Sequence, residues 1–219
     1  MKNGVVIINK EMGLSSQAVV NRVKRLFGVD KAGHTGTLDP MATGVLVVLV
    51  GRAAKACEYV SHDRKVYRAT LRLGITTDTE DVTGSVLTQS ENIPDCDEVI
   101  RACGEFVGKI KQIPPMYSAL KVGGRKLCDL ARQGEVVERE AREIVIFSLD
   151  CAPTDNISEY VVDVECSSGT YIRTLCADIG ARLACGGAMA TLERRSAGGF
   201  DIERAVTLAE VEAMSEEER

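Results

Sequence analysis

Two short stretches of the sequence hold most of the residues able to do chemistry. The first, Ala32-Gly33-His34-Thr35-Gly36-Thr37-Leu38-Asp39-Pro40, sets an imidazole and a carboxylate in a glycine-rich turn. Pro40 restricts Asp39 to extended backbone and withholds an amide from the segment that follows. A carboxylate held there could serve as a nucleophile, although a lone Asp-Pro more often bonds its own turn. The second stretch, Ser167-Ser168-Gly169-Thr170-Tyr171-Ile172-Arg173, runs into a helical pattern. Arg173 then falls in the first helical turn, where a cation meets the unfavourable end of the helix dipole. A carboxylate partner would relieve it. Asp39 is one candidate, and spacing alone does not select it over other acids.

The surrounding pattern shows what must position these groups. Val5-Val6-Ile7-Ile8 reads as a buried strand, and Ser15 or Ser16 caps a helix with Val19, Val20, Val23, Leu26 and Phe27 on one face. The Asp39 stretch is expected to be a loop feeding the apolar run Val45-Leu46-Val47-Val48-Leu49-Val50, with a short helical piece over residues 53–60. Residues 66–73 alternate, so Tyr67 points where Ala69, Leu71 and Leu73 point. Asp95 and Glu98 form a capping box before a helix carrying Val99, Ile100, Cys103, Phe106 and Val107. Residues 109–143 show no sustained period, which suggests a binding loop. Strands follow over residues 144–149 and 160–166, then a helix with Ile172, Leu175, Cys176, Ile179 and Leu183 on one face. A capping box of Thr207 and Glu210 opens a short acidic helix. Strands and helices mix without strict alternation, and the fold class expected is α+β, with a mixed, mostly antiparallel central sheet flanked by helices.

Composition narrows the function classes. The 219 residues are 45% hydrophobic and 27% charged, and the longest purely apolar run is six residues, far short of the roughly 20 that span a bilayer. With no secretory signal in view, a cytoplasmic protein with no membrane contact is expected. Eight cysteines lack metal-ligand spacing and only His34 and His62 could complete a site, so no metal is expected. Seven acids against two bases after residue 200 account for the whole net charge of −5. Residues 109–142 carry a local basic excess that suits phosphate contacts.

In combination the motifs are recognisable. Residues 33–40, followed by Ala42-Thr43-Gly44-Val45-Leu46, resemble the signature of the TruB-type tRNA pseudouridine-55 synthases. Other segments agree in order: Lys10 with Gly13 and Ser16, Lys65 with Tyr67, Leu73-Gly74 before Thr77-Asp78-Thr79, residues 114–121, 169–173 and 192–200. The resemblance implies isomerisation of a uridine in the tRNA T loop, without cofactor or metal, by a monomer. Asp39 matches the family's nucleophilic aspartate, Arg173 the arginine paired with it, and Tyr67 the aromatic that stacks on the target base. Tyr171 and Leu192 match residues lining the uracil pocket, and His34 matches a histidine contacting the RNA. Lys10, in the first motif, is assigned to substrate binding. Residues 112–142 correspond to an inserted segment that grips the T loop.

There are departures: Glu11 stands for a usual proline, Ser15 for a threonine and Cys128 for a common tyrosine. The expected organisation is a catalytic domain over residues 1–208 and an acidic tail over 209–219, lacking the C-terminal RNA-binding domain of bacterial relatives. Alternatives are the same chemistry on another RNA, or a non-catalytic tRNA-binding or folding protein.

Overall fold

The computed structural model describes residues 2–57 and 64–219. It divides into two compact units, one of Met1–Arg68 with Thr191–Arg219, the other of Ala69–Ala190. The chain opens with β1 (Gly4–Lys10), α1 (Ser16–Leu26), β2 (Ala32–His34), β3 (Thr43–Val50), a 3-10 turn (Gly51–Ala56) and β4 (Lys65–Leu73). Next come β5 (Ile75–Thr77), β6 (Val86–Gln89), α2 (Cys96–Gly104), β7 (Gly108–Gln112), β8 (Lys121–Val122), β9 (Arg125–Lys126) and α3 (Leu127–Arg132). The rest is β10 (Arg142–Pro153), β11 (Glu159–Cys166), α4 (Ile172–Arg182), β12 (Gly187–Ala197), β13 (Phe200–Asp201) and α5 (Leu208–Ala213). The division between units falls inside β4 and β12. Among the described residues no helix is long and apolar enough to cross a membrane.

In the first unit β3 is the central strand. It pairs antiparallel with β1 along one edge, from Gly4↔Val50 to Lys10↔Gly44. On its other edge it takes β2 antiparallel at residues 48–50 and β12 parallel at Glu193↔Thr43 and Arg194↔Gly44. Flanked on both sides, β3 buries seven of its eight residues. Val45, Val47 and Leu49 pack with Ala197 against Ile7, Ala53, Phe200 and Ile202, and each such side chain contributes roughly 1.5–3 kcal/mol by leaving water. The expectation of a buried first strand holds only in part, because β1 ends the strand order and leaves Val5 46% exposed. Ser15 caps α1 by accepting the Ala18 amide, and Val19, Val20 and Val23 form its buried face. The acidic C-terminal stretch packs here too: the Thr207–Glu210 capping box starts α5, Val211 is buried, Arg22 pairs with Glu212, and Arg219 donates to the Leu26 carbonyl. Of the helical piece expected over residues 53–60, residues 58–60 lie outside the described residues, as does His62.

In the second unit β4, β11, β10 and β7 follow in that order. The alternation expected of residues 66–73 and 160–166 is present, with Tyr67, Ala69, Leu71 and Leu73 buried on β4 and Tyr160, Val162, Val164 and Cys166 on β11. On α2 the Asp95 carboxylate accepts the Glu98 amide, and the helix ends at Gly104, short of Phe106 and Val107, which were expected on it. Residues 109–143 are more ordered than their pattern suggests. β7 pairs antiparallel with β10, β8 and β9 form a hairpin turned by Gly123 and Gly124, both at positive φ, and α3 follows. Their periodicity is hidden because β7 alternates lysines with a single isoleucine and the hairpin strands are two residues long.

Candidate active site

Asp39 lies half-buried in a loop whose backbone is held at every step. The carbonyls of five consecutive residues, Gly36 to Pro40, each accept a hydrogen bond. Arg194 donates to Gly36 at 3.0 Å and, more weakly, to Thr37 at 3.5 Å. The Ser16 hydroxyl donates to the Leu38 carbonyl at 2.9 Å while accepting the Leu38 amide at 2.8 Å. The Ala42 amide donates to Asp39 at 3.0 Å, and the Gly13 amide and the Lys10 ammonium reach Pro40 at 2.7 and 3.2 Å. Such a backbone presents its carboxylate without the entropy of a mobile loop, which is the property a positioned nucleophile needs.

Lys10 is fully buried. Its three N–H groups go to the carbonyls of Glu11, Leu14 and Pro40, which leaves none for RNA. In this structure the lysine, assigned by resemblance to substrate binding, supports the Asp39 loop through the Pro40 carbonyl. Burial pushes its pKa down to about 8, with the charge of Asp39 opposing the shift and Arg194 adding to it. His34 sits on β2 opposite Val48. Burial, and then Arg194, lower its pKa, so the imidazole is neutral at pH 7, and among the described residues its buried Nδ1 has no hydrogen-bond partner. Tyr67 is buried on the apolar face of β4. Leu192 is buried on β12, and its carbonyl accepts from Thr43, just beyond the Asp39 loop. Lys10, His34, Asp39, Tyr67 and Leu192 thus belong to the first unit.

Tyr171 and Arg173 belong to the second. The amide of buried Gln112 clamps the Tyr171 backbone from both sides, accepting its N–H at 2.8 Å and donating to its carbonyl at 3.1 Å. Arg173, on the first turn of α4, is 5% exposed and donates to the carbonyls of Thr79 at 2.8 Å and Tyr117 at 2.7 Å. The Asp81 carboxylate lies 3.9 Å away and is itself fixed by the hydroxyls of Thr79 and Thr83 and the Thr83 amide. These groups offset the helix dipole at Arg173. Next to it Thr174 hydrogen-bonds Glu80, whose pKa burial raises. Arg194, Gln112 and Asp81 carry no signal of this kind in the sequence. Arg194 reads as part of a charged run, and Asp81 as one more polar residue of a turn.

Residues 24–172 match the family described as TruB family pseudouridylate synthase, N-terminal domain. The chain belongs to the TruB family. It is 47% identical over 220 residues to the tRNA pseudouridine synthase B of Syntrophotalea carbinolica, covering 99% of this chain and 71% of that one. The corresponding protein of Alkaliphilus oremlandii is 45% identical, with 97% and 71% covered. Among solved structures, a Cbf5–Nop10–Gar1 complex matches with a TM-score of 0.74 at 29% identity over 94% of this chain. An archaeal box H/ACA Nop10–Cbf5 complex matches at 0.71 and 27%. The chain spans 52% of those structures' chains. The TruB-family fold is accordingly the α+β fold expected.

One expectation is overturned. Residues 173–219 match the tRNA pseudouridylate synthase B C-terminal domain, so the family's C-terminal part is represented here. Its matched region begins within α4 and carries β12 and α5, so no linker or shift of composition announces it.

Proposed function

We propose that this TruB-family pseudouridylate synthase isomerises uridine 55 in the T loop of tRNA, with Asp39 as the nucleophile. The observation that carries the reading is the Asp39 loop, whose five carbonyls are all held while the carboxylate is left half-buried. Family membership and the names of the relatives support the substrate. In the reaction the bond between N1 and C1′ breaks, the uracil turns, and C5 bonds to C1′. The C5 proton is lost and N1 gains one, so mass is unchanged. A carboxylate can form and release the covalent adduct this requires.

On this reading Arg173 takes the role of the family's catalytic arginine, and Tyr67 stacks on the extruded base. Such aromatic stacking is worth roughly 1–3 kcal/mol per base. Tyr171 and Leu192 correspond to residues that contact the uracil in the family, and His34, uncharged, contacts the RNA. The basic segment over residues 112–142 grips the T arm. A synthetic T-arm with a single target uridine tests the proposal, read by pseudouridine-specific chemistry. Wild-type protein should convert it, and Asp39→Asn should bind it without converting it. Turnover by a purified Asp39→Asn variant would sink the assignment of the nucleophile.

A further inference from the structure

Among the described residues Arg194 heads the fully buried side chains by size, at 1% exposure, and the mechanism above does not use it. A buried guanidinium persists only where its N–H groups are satisfied. Among the described residues its hydrogen bonds go to carbonyls and to no carboxylate: Nε to Val45 at 2.7 Å, and the two terminal nitrogens to Gly36 and Thr37. Two of these carbonyls precede Asp39 and the third follows it on β3. One planar group therefore closes the segment from residue 36 to residue 45 with the carboxylate between its fixed ends.

The backbone is shaped to admit it. β12 lies parallel to β3 with Arg194 opposite Gly44. Gly44 has φ +97°, and a Cβ there would stand 2.3 Å from the Arg194 carbonyl. Only glycine permits that approach, which brings the backbone at Arg194 close to β3 while its side chain reaches the carbonyls of Gly36, Thr37 and Val45. Its charge is felt at both Lys10 and His34, as expected of a cation central to the site.

We propose that Arg194 is a positioning residue for Asp39: its guanidinium clasps the loop on both sides and fixes the direction in which the carboxylate meets the nucleotide. This rests on the reading of Asp39 as the nucleophile. Lysine keeps the charge but has no planar fork to span three carbonyls, so Arg194→Lys separates geometry from charge.

The experiment measures three quantities for wild type and Arg194→Lys on the synthetic T-arm: the single-turnover rate at saturating RNA, the RNA dissociation constant, and the melting temperature. The expected result is a folded variant with nearly unchanged affinity and a rate about 100-fold lower, the scale of a misplacement near 1 Å. A folded Arg194→Lys that turns over at the wild-type rate would overturn the inference. So would a rate and an affinity that fall together in step with melting. Should Arg194→Lys melt below the assay temperature, Arg194→Gln is assayed instead with the same readouts and the same two refuting results. Failure of the wild type to isomerise the T-arm would instead overturn the proposed function.

Discussion

Ser16→Ala tests the construction of the Asp39 loop most directly. Ser16 is 2% exposed, and its hydroxyl serves both backbone groups of Leu38, which is itself 3% exposed. Alanine removes a single oxygen and leaves a buried amide and a buried carbonyl without partners. One such group costs about 1–3 kcal/mol. Because the two share a residue and relax together, the expected loss is about 2–4 kcal/mol. For a chain of this length that lowers Tm by roughly 5–15 °C. The same change frees Leu38 next to the nucleophile, so the single-turnover rate should fall below saturation of the stability effect, at temperatures where the variant is folded. Ser15→Ala is the control. It removes the α1 cap at Ala18 for about 1 kcal/mol and should leave the rate intact. Urea unfolding and single-turnover assays read both variants. A Ser16→Ala protein within about 0.5 kcal/mol of wild type and fully active would refute the reasoning.

Other expectations follow from burial and close packing. Lys10 titrates in the native chain at about 8 against an ordinary 10.5. Between those values the unfolded chain keeps a proton that the native chain has released, so Lys10 makes stability rise with pH over that window. Lys10→Met should be less stable at neutral pH and should lack that rise. Urea unfolding from pH 7.5 to 10.5 checks it, and an unchanged slope in the variant would count against it. Gly180→Ala would set a Cβ 2.1 Å from the Gly187 amide nitrogen. Because the neighbour is backbone and cannot swing aside, the cost should be several kcal/mol, about 3 or more by analogy with severe overpacking. A melt near that of wild type would show that α4 and the start of β12 can separate cheaply.

What could be read in advance depended on whether the cause was local. Tyr67, Ala69, Leu71 and Leu73 announce β4 because a strand with one buried face writes its period into neighbouring residues. The caps at Ser15, Asp95 and Thr207 are legible for the same reason, since each acts within three positions. β7 was hidden by Lys109 and Lys111, which an edge of alternating exposure accommodates.

The sequence by itself determined which reactive groups exist, their order, and, through the family resemblance, their assigned roles: Asp39 after a glycine turn, Tyr67 on an apolar face, Arg173 at a helix start. Only the tertiary structure decided how these groups are held. Arg194 is 158 residues from the Gly36 carbonyl it holds, Ser16 is 22 from Leu38, and Gln112 is 59 from Tyr171. Hydrophobic periodicity is a property of adjacent residues, whereas the satisfaction of a buried cation or hydroxyl depends on segments that meet only when the chain has folded.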